Sequence, residues 1–479
     1  MPIRLLCEVI NKSSWQAPDI YGTVFAGLPE YGRVWRMKKE TVVKRNPVIQ
    51  TMYTSDPAPM VSGDTIYLYT GHDEDGSTWF TMNDWRCFSS KDMVNWTDHG
   101  SPLAFMDFTW ARGDAWAGQC IERNNKFYFY VPMNKKGGQM AVGVAVSDSP
   151  TGPFTDPLGH PLVETGTGDI DPTVFVDDDG QAYLYWGNPH LWYVKLKDDM
   201  ISYDETTGIV QVPLTEESFG KRTGNPERAT LYEEGPWFYK RNGLYYMVYA
   251  ASGIPENIAY STSTSPTGPW TYRGVIMPTE GGSFTNHPGI IDYKGNSYFF
   301  YHNGALPGGS GFTRSVCVEQ FQYEEDGAFP VLHMTEEGVS PVGCLNPYIR
   351  NEAETIAWSQ GIKTESCSQG GINVCNIDDG DYIRVSSVDF GEAGPDTFHV
   401  CAASASGGGT IEIHADTLEG PLLGSVEIPD TGAWDNWSLV SERVEKIQGI
   451  HELYFTFHGN PSGNLFKLDY WKFEAKIEE

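Results

Sequence analysis

Five side chains able to do chemistry recur at matched positions in the 479-residue chain: Asp56, Trp116, Asp171, Glu234 and His287. Each stands 11 or 12 residues ahead of a tyrosine in an aromatic-rich segment, namely Tyr67, Tyr128, Tyr183, Tyr246 and Tyr298. Their settings are "SDPAP", "AWAGQ", "IDPTV", "EEGPW" and "NHPGI". A carboxylate at the mouth of a buried strand is costly unless it is paired or bound to something. Three in register, with a tryptophan and a histidine, therefore point to a common site. One protonated carboxyl can hand a proton to a leaving oxygen, and a second, ionised one can activate water or attack carbon. A third can hold the acid's proton in place by like-charge repulsion. Trp116 offers a flat face to sugar C–H groups. His287 suits a metal, a water or a buried hydrogen bond. Alternation along a strand turns Glu233 away if Glu234 faces in. Asp169, two residues before Asp171, shares its side. The run Asp177, Asp178, Asp179 reads as a solvated turn.

The elements that carry these residues repeat as well. "SGDTIYLYTG", "NNKFYFYVPM", "DDGQAYLYWG", "RNGLYYMVYA" and "YKGNSYFFYHN" each place a polar turn before an aromatic strand. The five tyrosines are 61, 55, 63 and 52 residues apart. A period of that size, with several strands per unit, reads as a propeller with one blade per repeat. "NWTDHG", "SPTGPFTDP" and "SPTGPWTYRG" supply outer strands of several blades. If the five chemical residues head the innermost strands, they meet at the propeller axis.

Composition agrees with an all-β chain: 13% of residues are aromatic, and glycines and prolines are spread as turn punctuation. The net charge of −30 makes nucleic acid and anionic membranes poor partners and leaves neutral sugar a suitable one. Eight cysteines show no CxxC pair, so zinc is not expected. Cys367 and Cys375 are equally readable as a pair or as free buried thiols. "MPIRLLCEVINKSSW" lacks an apolar signal core, and no stretch of about 18 apolar residues occurs. The expected location is cytoplasmic, or secreted or periplasmic if a leader has been removed.

Residues 47–342 resemble glycoside hydrolase family 43. The carrying segments are "SDPAP", "DMVNWTDHG", "AWAGQ", "DSPTGPFTDP", "DIDPTVFVDDDGQAYLYWG", "EEGPWFYKRNGLYYMVY" and "NHPGIIDYKGNSYFFYH". The resemblance implies a five-bladed β-propeller acting on xylan and arabinan side chains and oligosaccharides. It implies Asp56 as general base, Asp171 as the residue that orients the acid and raises its pKa, and Glu234 as general acid. It further implies inversion at the anomeric carbon, with acid and base roughly 6.5–9.5 Å apart. His287 matches a histidine beside a central calcium or water, and Arg314, in "GFTRSV", an arginine that touches the first sugar. Trp116-Ala117-Gly118 departs from the usual Trp-Ala-Pro, which implies a reshaped loop. The Asn-Asp-Pro-Asn and Glu-Cys settings of the related retaining fructan enzymes are missing.

After "GVSPVGCLNPYIR" the strands shorten and the turns become glycine-rich, as expected of a β-sandwich. This segment resembles carbohydrate-binding module family 6. The division expected is a propeller over 1–346 and a jelly-roll sandwich over 347–479. The resemblance implies a structural calcium held by Glu352, Glu354 and Asp469. In the sugar cleft Trp434 forms one wall, but Asn376 and Lys467 stand where Tyr and Asn are usual. The sandwich is therefore expected to pack on the propeller as a structural partner.

The expected activity is an inverting, exo-acting hydrolase that releases terminal xylose, arabinofuranose or both from xylan- or arabinoxylan-derived oligosaccharides. An endo-arabinanase and a non-catalytic sugar-binding propeller are the alternatives.

Overall fold

The computed structural model describes residues 43–460 and 463–475, and these are almost wholly β. Cys7 lies outside the described residues. Among them, five antiparallel sheets follow one another along the chain as blades of a propeller. Their innermost strands are Tyr53–Ser62, Gln119–Arg123, Thr173–Val176, Tyr232–Arg241 and Gly289–Tyr293. Each runs by a tight turn into a strand bearing one of the five repeated tyrosines. Three of these turns are two-residue loops with both residues at positive φ: Asn124–Asn125, Asn242–Gly243 and Lys294–Gly295. That backbone matches the twist of the flanking strands. The matched tyrosines of blades 2 to 5 are buried between neighbouring blades. The outer strands fall at Trp96–Asp98 and Thr271–Met277, and as a bridge from Val146 to Thr155.

The ring is closed by residues that precede the first blade. Val48 N–H donates to the Val316 carbonyl in the outer strand of blade 5 (2.9 Å). Beside it, buried Asn46 donates to the Val318 carbonyl and accepts from the Val318 N–H (3.1 and 3.0 Å). An asparagine side chain thus does the work of a strand residue at the seam.

From Asn351 onward the strands form two facing sheets, packed around Phe398, Phe455, Phe457, Trp471 and Phe473. One short strand breaks the division expected from sequence. Thr355–Ile356 leaves the sandwich and pairs with Trp96–Asp98, extending blade 1. Nearby, Asn95 is buried and its amide bonds both the carbonyl and the N–H of Ser386 (2.8 Å each). Thr364 donates to Asp98 (2.7 Å), and Ser359 N–H donates to Gln50 (3.0 Å). The sandwich packs against blade 1 through paired polar groups.

Replacing Asn95 with alanine strands two buried backbone groups of Ser386, at a cost of about 1–3 kcal/mol. A lower unfolding temperature by calorimetry is expected. An unchanged one would mean that the junction contributes nothing to stability.

Candidate active site

The blade geometry brings all five matched residues to one place. Asp56, Trp116, Asp171, Glu234 and His287 line a single pocket of about 230 Å³, joined by Arg314, Trp79, Phe80, Asn188 and Asn286. The backbone is bent locally to aim them. Asp56 and Asp171 both precede proline and both sit at positive φ (50° and 56°). This conformation is uncommon outside glycine and accumulates at functional sites. The blade 1 ladder slips between Ser55 and Ala58, and that of blade 4 slips on both sides of Glu234. Such bulges re-aim a side chain without ending the strand. Gly235, at φ 60° next to Glu234, suits a left-handed backbone in which a Cβ would be strained and would press on His287 Nδ1 at 3.0 Å.

Asp56 is held as an anion. Burial by itself raises its pKa, but the Arg314 guanidinium above all, with the Ser55 hydroxyl, favours the anion, and the carboxyl lies below the usual carboxylate range. The Arg314 guanidinium donates to Asp56 Oδ1 (3.0 Å) and Ser55 to Oδ2 (2.9 Å). Arg314 cannot swing away, since its Nε and Nη2 fork onto buried Asp73 (2.9 and 2.8 Å) and its backbone N–H joins them (2.8 Å). Its charge also lies over the Phe80 ring. His302 stays neutral, pushed down to about 3 by burial and then by Arg314. Its Nε2 faces the Thr285 carbonyl (2.9 Å), so the proton sits there and bare Nδ1 accepts the Asp56 N–H (3.2 Å).

The other acids are pushed toward their neutral forms. Burial, with like charge from its neighbours, pushes Glu234 up to about 7. Asp171 is raised by burial and by Glu234, while the Gly235 N–H donates to its Oδ2 (2.9 Å). Glu256, fully enclosed, is raised by burial and by Glu234; its Oε2 accepts the Asn286 N–H (2.8 Å) and its Oε1 has no partner. Two carboxyls whose environments push their pKa values apart are the mark of an acid–base pair.

Trp116 forms part of the wall, its indole N–H donating to the Phe80 carbonyl (3.2 Å). Trp79, 53% exposed, packs on Phe312 at the rim. Glu233 turns away from the pocket, onto Arg222 and Arg228. Asp169 serves Thr165, Gly166 and Trp186 instead of the pocket. Asp177 departs from the solvated-turn reading: it is half-buried, its carboxylate held by Lys240 (2.8 Å) and the Tyr245 hydroxyl (2.5 Å), whereas Asp178 and Asp179 are exposed. Asp73, Asn188, Glu256 and His302 are not singled out by the sequence. None occupies a position repeated in the other blades, and only His302, at the end of "YFFYH", lies in a segment that the repeat marks.

The remaining candidates sit in the sandwich. Arg350 bridges Glu352 (2.7 Å) and Asp469 (3.3 Å). Glu354 is buried, its Oε2 has no partner, and burial with the nearby carboxylates pushes it up to about 9. The Lys467 ammonium lies over the Trp434 ring and pairs with Glu365, so a cation already faces the expected platform. Cys367 and Cys375 are both free. At the propeller axis, His287 Nδ1 lies 4.0 Å from Asp56 Oδ1, which Arg314 already occupies. This arrangement suits a water and does not fit a directly coordinated calcium. Among the described residues, one His–carboxylate trio has converging ligand atoms: His72, Glu74 and Asp84. It lies outside the pocket and is tied up in its own hydrogen bonds.

Comparison with known proteins matches residues 44–329 to the model of glycosyl hydrolases family 43, and residues 352–475 to that of carbohydrate binding module (family 6). An arabinoxylan arabinofuranohydrolase of Bacillus subtilis is 34% identical, over 90% of this chain and 92% of its own. A crystal structure of such a Bacillus subtilis enzyme in complex with cellotetraose superimposes with a TM-score of 0.78 at 32% identity, covering 90% of this chain and 98% of the other. A xylosidase/arabinosidase of Bacteroides ovatus is 31% identical over 60% of this chain and 96% of its own. A β-xylosidase/α-arabinofuranosidase from a compost metagenome, in complex with xylotriose and in calcium-free form, gives a TM-score of 0.55 at 30% identity, with 61% and 98% covered.

Carboxyl-labelled NMR is expected to show one resonance titrating near 7 that disappears in Glu234→Gln. The resonance lost in Asp56→Asn should stay ionised to below 3.8. The reverse order would undo the assignment of acid and base.

Proposed function

The chain belongs to glycosyl hydrolases family 43, and from that premise we propose that it is an inverting, exo-acting glycosidase that removes terminal α-L-arabinofuranosyl residues from arabinoxylan-derived material. The observation that carries the reading is the pocket in which an ionised Asp56 faces a protonated Glu234 beside Asp171. Its volume falls below the roughly 300–1,000 Å³ of sites for larger ligands, which suits a single sugar ring. Trp79 at the rim offers a face to the sugars that follow.

In the proposed reaction Glu234 gives its proton to the glycosidic oxygen as the C–O bond breaks. Asp56 takes a proton from the water that attacks the anomeric carbon from the opposite face. The new C–O bond therefore has inverted configuration. Solvent later returns a proton to Glu234 and removes one from Asp56. Asp171, through the Gly235 N–H it accepts, fixes the strand that presents Glu234. Arg314 fixes Asp56 and lines the floor, where it can also meet the sugar. β-Xylosidase activity is the second reading, favoured by the relatives that match the propeller alone.

The sandwich carboxylates fit a structural calcium in donor type and in the unpartnered Glu354 Oε2. Glu352, Glu354 and Asp469 would hold it, displacing the Arg350 guanidinium; its contribution would be to stability. The cleft at Trp434 is proposed not to bind sugar, because Lys467 covers the ring.

Hydrolysis of 4-nitrophenyl α-L-arabinofuranoside and 4-nitrophenyl β-D-xylopyranoside, followed by proton NMR, tests the reading. The first anomer released should be the inverted one. Glu234→Gln should cost about 10²–10⁴-fold in kcat with an unactivated leaving group. Because the acid must be protonated, kcat/KM should fall as pH rises through about 7, and because the base must be ionised it should fall only below 3.8 on the acid side. Turnover of neither glycoside would sink the exo-pentosidase reading. Calcium should raise the unfolding temperature, by up to about 2.7 kcal/mol of stabilisation at a hundredfold excess over Kd. Loss of this response in Glu354→Gln is expected, and a response equal to that of the parent protein would remove Glu354 from the site.

A further inference from the structure

Behind the acid lies a chain of polar groups that the reaction scheme does not use. Glu233 receives Arg222 at one carboxylate oxygen and Arg228 at the other. The second arm of Arg228 donates to Asn188 Oδ1 (2.9 Å). The Asn188 amide nitrogen donates to Glu234 Oε2 (2.5 Å). Glu233 and Glu234 are adjacent in sequence but point in opposite directions, and this chain joins them from outside the strand.

The direction of every bond in it is forced. A guanidinium has only donors. The Asn188 oxygen must therefore face Arg228, and its NH2 must face Glu234. A carboxyl's hydroxyl oxygen is a poorer acceptor than its carbonyl oxygen, so the NH2 favours a bare Oε2, and when Glu234 is protonated its hydrogen is favoured on Oε1. Without Arg228 the amide is free to turn over. Its oxygen would then accept a proton from Oε2, trapping the hydrogen on the wrong side of the carboxyl.

We propose that Arg228, anchored by Glu233 and acting through Asn188, selects which oxygen of Glu234 carries the catalytic proton. Arg228 and Asn188 are positioning residues: neither is required to touch the bond that breaks. The proposal rests on Glu234 being the acid, and it adds a specific atom, Oε1, as the donor. It also gives Glu233 a role as the group that pins Arg228 with two ionic bonds shared between two arginines.

The readout is leaving-group dependence. Phenyl α-L-arabinofuranoside needs a proton on its departing oxygen, whereas the 4-nitrophenyl glycoside needs far less help. Arg228→Ala and Asn188→Ala are expected to lose at least about tenfold more kcat on the phenyl substrate than on the 4-nitrophenyl one, within the range of general-acid effects. In Asn188→Ala the alkaline limb should also move to higher pH, since the lost donor favoured the ionised carboxyl. Arg228 acts only through Asn188, so the double variant should match Asn188→Ala alone. Arg228→Lys, which keeps a donor-only head, should recover part of the loss. Thermal unfolding of each variant shows whether the fold is intact.

Equal losses on both substrates, with an unmoved alkaline limb, would make the network merely structural and overturn the proposal. Additive losses in the double variant would overturn it too. Glu234→Gln separates this from failure of the parent reading. If that variant itself shows no leaving-group dependence, Glu234 is not the acid, and the proposal falls with that assignment.

Discussion

The site depends on a shortage of positive charge at the propeller axis. Asp56, Asp73, Asp171 and Glu256 are buried there and Glu234 is partly buried, and among the described residues the guanidinium that reaches the two blade 1 acids is that of Arg314. Burial disfavours every charged carboxyl, and only a close counter-charge offsets it. Arg314 directs its donors to Asp73 and Asp56, so Asp56 can be an anion. The carboxyls on the far side of the pocket receive neutral donors, from the Asn188 amide and the N–H groups of Gly235 and Asn286, and burial shifts them toward the neutral form. Opposite shifts of Asp56 and Glu234 in one pocket follow from where a single arginine can reach.

Positioning comes from the repeat, and function comes from departures from it. Five strand heads converge because each blade repeats the same turn and aromatic strand. An ideal strand would point its carboxylates across the sheet. The bulges in blades 1 and 4, and the positive φ of Asp56 and Asp171, rotate them toward the axis instead. Within blade 4, Tyr239 stacks on Tyr246 across the strand pair at 4.9 Å, and the Tyr246 hydroxyl donates to the Gly327 carbonyl.

That division also decides what can be read before the fold is known. The tyrosine period locates every blade head, and all five, with Arg314, line one pocket. Register separates Glu234 from Glu233, and both face as alternation requires even though the ladder is bulged there. Asp73, Asn188, His302 and Glu256 escape the same reading because each belongs to a single blade. Asp73 meets Arg314 only once the ring closes, Asn188 meets Arg228 and Glu256 meets Asn286 only when successive blades pack, and His302 meets Thr285 across the loop that opens blade 5. The solvated-turn reading of Asp177 fails for a related reason. An Asp-Asp-Asp-Gly run has the composition of such a turn, and only the arrival of Lys240 and Tyr245 from the next blade half-buries its first member. The crossing of Thr355–Ile356 into blade 1 has no sequence signal, since two residues cannot show a period.

That crossing bears on why the sandwich is attached. The outer strand of blade 1, Trp96–Asp98, is three residues long and would otherwise present an open edge. Open edges invite pairing with other chains, and covering them is one of the ways proteins avoid it. Here the cover comes from the sandwich, which also fixes Asn95, Asp98 and Gln50 on the same blade. Blade 1 carries Asp56, Asp73 and the loop of Trp79, and Lys363 of the sandwich reaches Asp75 in that loop (3.2 Å). The sandwich, in which Lys467 lies over the Trp434 ring, thus makes its contacts with the blade that carries Asp56 and the aromatic rim of the pocket.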